Sequence, residues 1–244
     1  LTFLDAETIT PGKYPTLLSP LVTGVFTHES FGHKSEADFM LGDETMLREW
    51  AMGKIVAAPH ISIVDEGDSV GTSGYCPVDD EGNRKTKTYL IKDGKLAGRL
   101  HSADTARALG EANTGNGRAM NFEYPPIVRM TNTYIEPGDM GRDELIKNVK
   151  KGVYIKDFKH GMGLSTFTIA PSKAWWIEDG KITRPVRVSV ISGSVFETLM
   201  NITGVARDFE VVSSAFGGCG KNDQWPLPVA DGGPSILVEG MQVS

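Results

Sequence analysis

Cysteine is nearly missing from this sequence: Cys76 and Cys219 are the only two in 244 residues. Two thiols cannot build a disulfide framework, so the fold must rest on a hydrophobic core, and metal binding or packing is the better use for them. A thiol redox protein would need a nearby resolving cysteine, and the chain offers only these two, far apart in sequence. Long apolar runs are also missing. Nothing approaches the roughly 20 consecutive apolar residues of a membrane-spanning helix, so no membrane partner is expected. Positive charge is short as well, with 25 Lys and Arg against 31 Asp and Glu, a net charge of −6 and a pI near 5.4. Nucleic-acid binders carry a basic footprint, so no nucleic-acid partner is expected. No low-complexity linker divides the chain, which points to one domain over 1–244. The opening Leu1-Thr2-Phe3-Leu4-Asp5 has no Met, no basic region and no apolar stretch, and it predicts a fragment of a longer polypeptide rather than a secretory signal.

What remains is an ordinary globular composition, 40% hydrophobic, 23% charged and 8% aromatic, long enough to bury a core without staples and expected in the cytoplasm. Ser19-Pro20 predicts a helix start, with Ser as cap and Pro in the first turn, followed by Leu21, Val22, Val25 and Phe26 at helical spacing. Further helices are expected over 44–54, 102–110, 142–151 (ended by Gly152) and from 194 to a stop at Gly204. Strands are expected at 61–65 and 127–135. Asp93-Gly94 and Asp179-Gly180 tolerate the positive φ of tight turns and predict two hairpins, over 86–101 and 173–191, each followed by a helix, a possible internal structural repeat. Short connections imply antiparallel pairing, and the expected fold is α+β: a large antiparallel or mixed sheet, or a barrel-like domain, with several short helices.

The chemistry concentrates in His28-Glu29-Ser30-Phe31-Gly32-His33. In a His-Glu-x-x-His string the imidazoles lie about one helical turn apart, so both can face one metal while the Glu polarises its water. Here the interval is five residues, which at about 100° each leaves the second ring roughly 140° around an ideal helix. A π-bulge, one turn with an extra residue, restores a common face, and Gly32 eases the distortion. A hydrolytic site needs a third protein ligand. Cys219, in Phe216-Gly217-Gly218-Cys219-Gly220-Lys221, is the strongest candidate, with Lys221 available to hold its thiolate. The alternative is a solvated helix end carrying a chance pair of histidines.

Taken together, the His28–His33 string, Arg129-Met130-Thr131-Asn132-Thr133-Tyr134 and Gly218-Cys219-Gly220-Lys221 resemble the TldD/PmbA family, formerly described as modulators of DNA gyrase. The resemblance runs over essentially the whole chain and corresponds to the carboxyl-terminal half of such proteins. It implies a metallopeptidase acting on unfolded or unstructured peptides, with His28, His33 and Cys219 as metal ligands and Glu29 as the catalytic carboxylate. The expected ion is zinc, with iron left open by a His2Cys set. The family also implies a paralogous non-catalytic subunit of the PmbA/TldE type as partner, or a homo-oligomer. The competing reading is a scaffold subunit with a structural metal, which a fourth protein ligand from Glu36 or Asp38 would signal.

Weaker signals surround this core. Glu36 and Asp38 can orient His33 from behind. His101 and Arg118 can donate hydrogen bonds to an oxyanion or a peptide backbone, but a helix-cap neighbour and a loop-ordering contact are the stronger readings. Cys76 reads as buried and inert. The Thr114–Arg118 loop lacks the Gly-Lys-Ser/Thr signature of a phosphate cradle. Trp175-Trp176 reads as packing in a strand.

Overall fold

The computed structural model of the protein describes residue 3, residues 5–213 and residues 218–244. Five strands close on themselves: Gly12–Leu18, Lys151–Gly163, Thr166–Glu178, Ile191–Ser194 and Ile236–Val243 form a ring in which each pairs with two others. One pairing in the ring is parallel, Gly12–Leu18 against Lys151–Gly163. Lys181–Arg187, Glu7–Thr8 and Ile202–Val205 extend this sheet outside the ring. Beside the barrel lies a six-stranded sheet in the order Glu210–Ser213, Ala230–Gly233, Asn132–Ile135, Ile63–Glu66, Thr88–Lys92 and Lys95–Leu96.

The first helix, Pro20–Thr27, is wedged between barrel and sheet, and all of it except Leu21 is buried. Its Val22, Val25 and Phe26 belong to one core with Ile155, Phe167 and Ile169 of the barrel and Ile63, Ile91 and Ile135 of the sheet. A helix covered on both sides can be apolar nearly all round, and this one is. Ser19 caps it as expected, its Oγ accepting from the Val22 N–H at 3.3 Å. No helix among the described residues is long and apolar enough to cross a membrane.

The α+β reading holds, and both Asp-Gly turns form, with Asp93 at φ 49° and Asp179 at φ 46°. Their hairpins sit in different sheets: the first closes the edge of the six-stranded sheet and the second extends from the barrel. Several boundaries differ from expectation. The helix expected to reach Lys151 stops at Ile146, and Lys151 and Gly152 instead open a thirteen-residue barrel strand. The helix expected to run to Gly204 ends at Met200, and Gly204 lies in a strand paired with Ile236–Val243. In both places pairing with a neighbouring strand overrides helical propensity, which is worth only tenths of a kcal/mol per residue. The 127–135 strand is two, Ile127–Val128 and Asn132–Ile135, in separate sheets.

Candidate metal centre

After Thr27 the helix does not stop; it takes in an extra residue. His28–Gly32 is a π turn, closed by the His33 N–H donating to the His28 carbonyl. That i to i+5 bond is what a five-residue spacing requires, and it brings the two imidazoles together with ring centroids 5.1 Å apart. Gly32 matters for a reason other than the one expected. Its φ of −57° is ordinary helix, but a Cβ there would drive into Met130 Sδ. Gly24, one turn before His28, allows an equally close approach on the other side. A Cβ at Gly24 would lie 2.8 Å from Gly232 N and 2.9 Å from the Asp231 carbonyl carbon, so helix and strand Ala230–Gly233 meet backbone to backbone and Asp231 comes alongside His28.

Cys219 arrives on a separate hairpin, Cys219–Lys221 paired with Gln224–Leu227. Phe216 and Gly217 of its expected glycine-rich approach lie outside the described residues. Arg129, wholly buried, secures the hairpin: its guanidinium donates to the Cys219 carbonyl at 2.7 Å and to the Gln224 carbonyl at 3.4 Å. Cys219 Sγ then lies 3.3 Å from His33 Nε2, although 186 residues separate them. One donor atom from each of His28, His33 and Cys219 lies within 4.8 Å of the other two. Ligands at about 2.0–2.3 Å from a tetrahedral ion stand roughly 3.3–3.8 Å apart, so this set closes on a metal with small side-chain shifts.

Each imidazole has a carboxylate behind it. His33 Nδ1 is 3.0 Å from Glu36 Oε2, leaving Nε2 toward Cys219. His28 Nδ1 is 2.8 Å from Asp231 Oδ1, but off the line of a hydrogen bond, and both atoms are buried with no hydrogen-bond partner. Carboxylates in this position fix the tautomer and raise the basicity of a metal-bound histidine. Glu36 thus orients His33 as expected. Asp38 does not touch the ring; it accepts from Lys221 Nζ at 2.6 Å. Lys221 was expected on the thiolate and is instead spent on Glu36 (3.2 Å), Asp38 and the Val128 carbonyl (2.9 Å).

The thiolate is held by the histidines. Burial pushes the Cys219 thiol up, but the His28 and His33 imidazoliums outweigh it and bring its pKa down to about 5. Burial likewise opposes charge on His33, yet its hydrogen bonds with Cys219 and Glu36 raise it to about 9. His28 also stands well above the ordinary imidazole value, because Asp231 and Cys219 overcome its burial. Thiolate and imidazolium together are the ligand set in its protonated resting form, and this fits a divalent ion that takes the protons' place. Glu29 lies beside them, its carboxyl pushed up by burial against the opposing pull of His28 and His33. It lines a cavity of about 150 Å³ with His28, Cys219 and Asp231, walled by Leu21, Phe158, Val212 and Val229.

The remaining candidates fall elsewhere. His101 commits both ring nitrogens, to Thr105 Oγ1 (3.1 Å) and Glu111 Oε2 (2.9 Å), beside the Ser102 helix cap. Arg118 donates to the Met130 and Pro228 carbonyls, a loop-ordering role. Asn116, in the same glycine-rich loop, donates to Asp65 and to the Arg129 carbonyl. Cys76 is half-buried, unpaired with Cys219, and its Sγ lies 3.3 Å from the Val78 carbonyl. Trp176 packs in the barrel wall and donates to Glu7, and Trp175 packs on Phe3 and Tyr154. Two residues beside the site carried no signal of their own in the sequence. Arg129 stood only as a letter in a string, and Asp231 was not singled out at all.

Two imidazoles, a thiol and a carboxylate converge at the seam of a barrel and a sheet, and the class this defines is a protein with a three-donor cluster of a kind that can hold a metal ion. Comparison with known proteins narrows it: residues 11–244 match the PmbA/TldA metallopeptidase C-terminal domain, and the chain belongs to that family. It is 42% identical over 241 residues to "Metalloprotease slr0863" of Synechocystis, covering 98% of this chain and 52% of that one. With "Zinc metalloprotease TldD homolog" of Saccharolobus solfataricus it shares 34% identity, covering 98% and 53%. A solved modulator of a DNA gyrase from Thermotoga maritima superposes with a TM-score of 0.78 at 26% identity, over all of this chain and 52% of that one. The chain spans about half the length of the curated relatives it matches.

Proposed function

We propose that this chain carries the catalytic metal centre of a peptidase, in which His28, His33 and Cys219 hold one divalent ion, zinc, and Glu29 moves the proton. The observation that carries the reading is the donor count. Among the described residues the cluster has three donors and no fourth. Glu36 and Asp38, the residues that would have closed a structural site, are occupied by His33 and Lys221. Three protein ligands with an open position beside a carboxylate is the pattern of catalytic zinc.

The ion, when bound, supplies Lewis acidity that polarises the scissile carbonyl and makes water a nucleophile at neutral pH. The rest is done by the protein. Glu29, its carboxyl raised by burial, takes the proton of the attacking water and returns it to the leaving amine. Glu36 and Asp231 hold the imidazoles in place, and Arg129 holds the strand of Cys219. The thiolate, by donating charge, moderates the acidity of the centre. Val212, in the edge strand Glu210–Ser213, lines the cavity, so an extended, unstructured peptide can pair with that edge and pass its backbone across the site. Zinc over iron is supported by the name of the Saccharolobus relative. The resemblance adds that this region is the catalytic half of a longer subunit and that a paralogous non-catalytic subunit, or a second copy, completes the particle.

The test is metal content and cleavage of an unstructured peptide by wild type, Cys219→Ala and Glu29→Gln. One ion per chain, lost in Cys219→Ala and retained in an inactive Glu29→Gln, is the expected pattern. A Glu29→Gln protein that cuts as fast as wild type would leave the metal structural and end the peptidase reading.

A further inference from the structure

We propose that Leu21, Phe158, Val212 and Val229 form a side-chain subsite at the centre, which selects peptides with an apolar residue of about leucine size next to the bond that is cut. The subsite deepens the peptidase reading above and rests on it. From Pro20 to Ser30, along the helix and the π turn, every residue is buried except Leu21 and Glu29. Both line the same cavity, so the helix offers it one apolar side chain and the carboxylate that moves the proton. Phe158 reaches the cavity from the barrel through a distortion. Val153 and Ile155 belong to the main core, and strict alternation would turn Phe158 to the opposite face of its strand. The ladder to Thr166–Glu178 shifts register between Ile155 and His160, and Phe158 packs against the same core as Val153 and Ile155. Irregularities of this kind re-aim side chains beside active sites. The sheet supplies the other two walls, Val212 paired across from Asp231 and Val229 just ahead of Ala230.

Size and chemistry of the cavity choose its occupant. Its volume is about 150 Å³. An apolar void of about that volume takes up a molecule the size of benzene, so a leucine side chain fits, alanine leaves it partly empty and an indole exceeds it. Among the described residues the polar side chains of the lining are those of the centre itself, His28, Glu29, Cys219 and Asp231. A substrate side chain that enters therefore finds hydrocarbon walls and no polar partner reserved for it, the usual construction of an apolar pocket beside a few orienting groups. The strand Glu210–Ser213 is paired on one side only, and a peptide extended along it sends alternate side chains to opposite faces. One of these, on the side where Val212 lines the cavity, enters the seam beside Glu29.

The experiment uses the full chain, metal-saturated, and two series of unstructured peptides in which Gly, Ala, Leu or Trp stands on the amino or the carboxyl side of the scissile bond. Cleavage is followed as kcat/KM, and binding is measured separately by calorimetry in the Glu29→Gln background. Leucine exceeds alanine by three carbons, each worth about fourfold when fully buried, so Leu should lead Ala by at least about tenfold in one series and lead Trp as well. Phe158→Ala enlarges the subsite and should move the preference to Trp. Val212→Phe fills it and should move the preference to Ala. Opposite shifts in two variants are a result that general damage to the fold does not give. Wild type without a preference by size in either series, or either folded variant keeping the wild-type order, overturns the subsite while leaving the peptidase reading intact. Size-selective binding that shifts with the two substitutions, with no cleavage by wild type, keeps the subsite and removes the peptidase. Neither cleavage nor selective binding ends both.

Discussion

Metal uptake by this centre should depend steeply on pH, because the ion competes with protons held by the histidines. Without metal, Cys219 sits at about 5 and His33 at about 9, so between these values the sulfur is already a ligand and His33 is not. His33 has its pKa raised, so it is protonated below about 9 and must lose that proton to bind. Lowering the pH from 9 to 7 therefore weakens metal binding about fiftyfold, roughly 2 kcal/mol at about 1.4 kcal/mol per tenfold. His28 is raised as well and adds to the slope. Affinity measured by competition with a chelating dye from pH 6 to 8 should rise between one and two decades per pH unit. In the metal-free protein, ultraviolet thiolate absorbance should persist at pH 7 and be half lost near pH 5. A pH-independent affinity, or a thiolate band that appears only above pH 8, would refute the imidazolium–thiolate pairing.

Other perturbations act on single links. Glu29→Gln should bind metal normally and lose about 10²–10⁴ in turnover, the usual worth of a positioned general base; a smaller loss, measured at saturating metal, argues for another base. Gly32→Ala puts a methyl onto Met130 Sδ and should destabilise by about 1–3 kcal/mol in urea unfolding, with weaker metal binding as the π turn shifts; an unchanged midpoint would show that Met130 yields freely. Arg129→Met leaves the Cys219 and Gln224 carbonyls without their buried donor, at about 1–3 kcal/mol each, and metal affinity should fall along with melting temperature. Asp65→Ala strands the buried Lys85 and should cost about 3–5 kcal/mol; chemical denaturation reads this directly.

The legible part of the molecule was the part governed by local rules. Ser19-Pro20 marked a helix start because capping is a contact between near neighbours, and a five-residue histidine spacing permits one metal only if the helix takes in an extra residue. Cys219 was legible because cysteines were so few. The strand Lys151–Gly163 was missed because it pairs with Gly12–Leu18 and Thr166–Glu178, and a helix-like run before it masked its start. Lys221 was misread for the opposite reason. It lies two residues from the thiolate in sequence, but the deciding partners, Glu36 and Asp38, approach from some 185 residues away. Arg129 and Asp231 became visible only through contacts about 90 to 200 residues long in sequence.

The same separation has a meaning in time. His33 and Cys219 lie 186 residues apart in sequence, and the barrel closes only when Ile236–Val243 pairs with Gly12–Leu18. During synthesis the histidine pair is complete 186 residues ahead of Cys219. Chains dominated by such distant pairings fold slowly. A nascent chain that has not reached Cys219 therefore carries an incomplete donor set, and the proposed hydrolytic centre, so divided, stays silent beside other unfolded polypeptides until that stretch is made and folded.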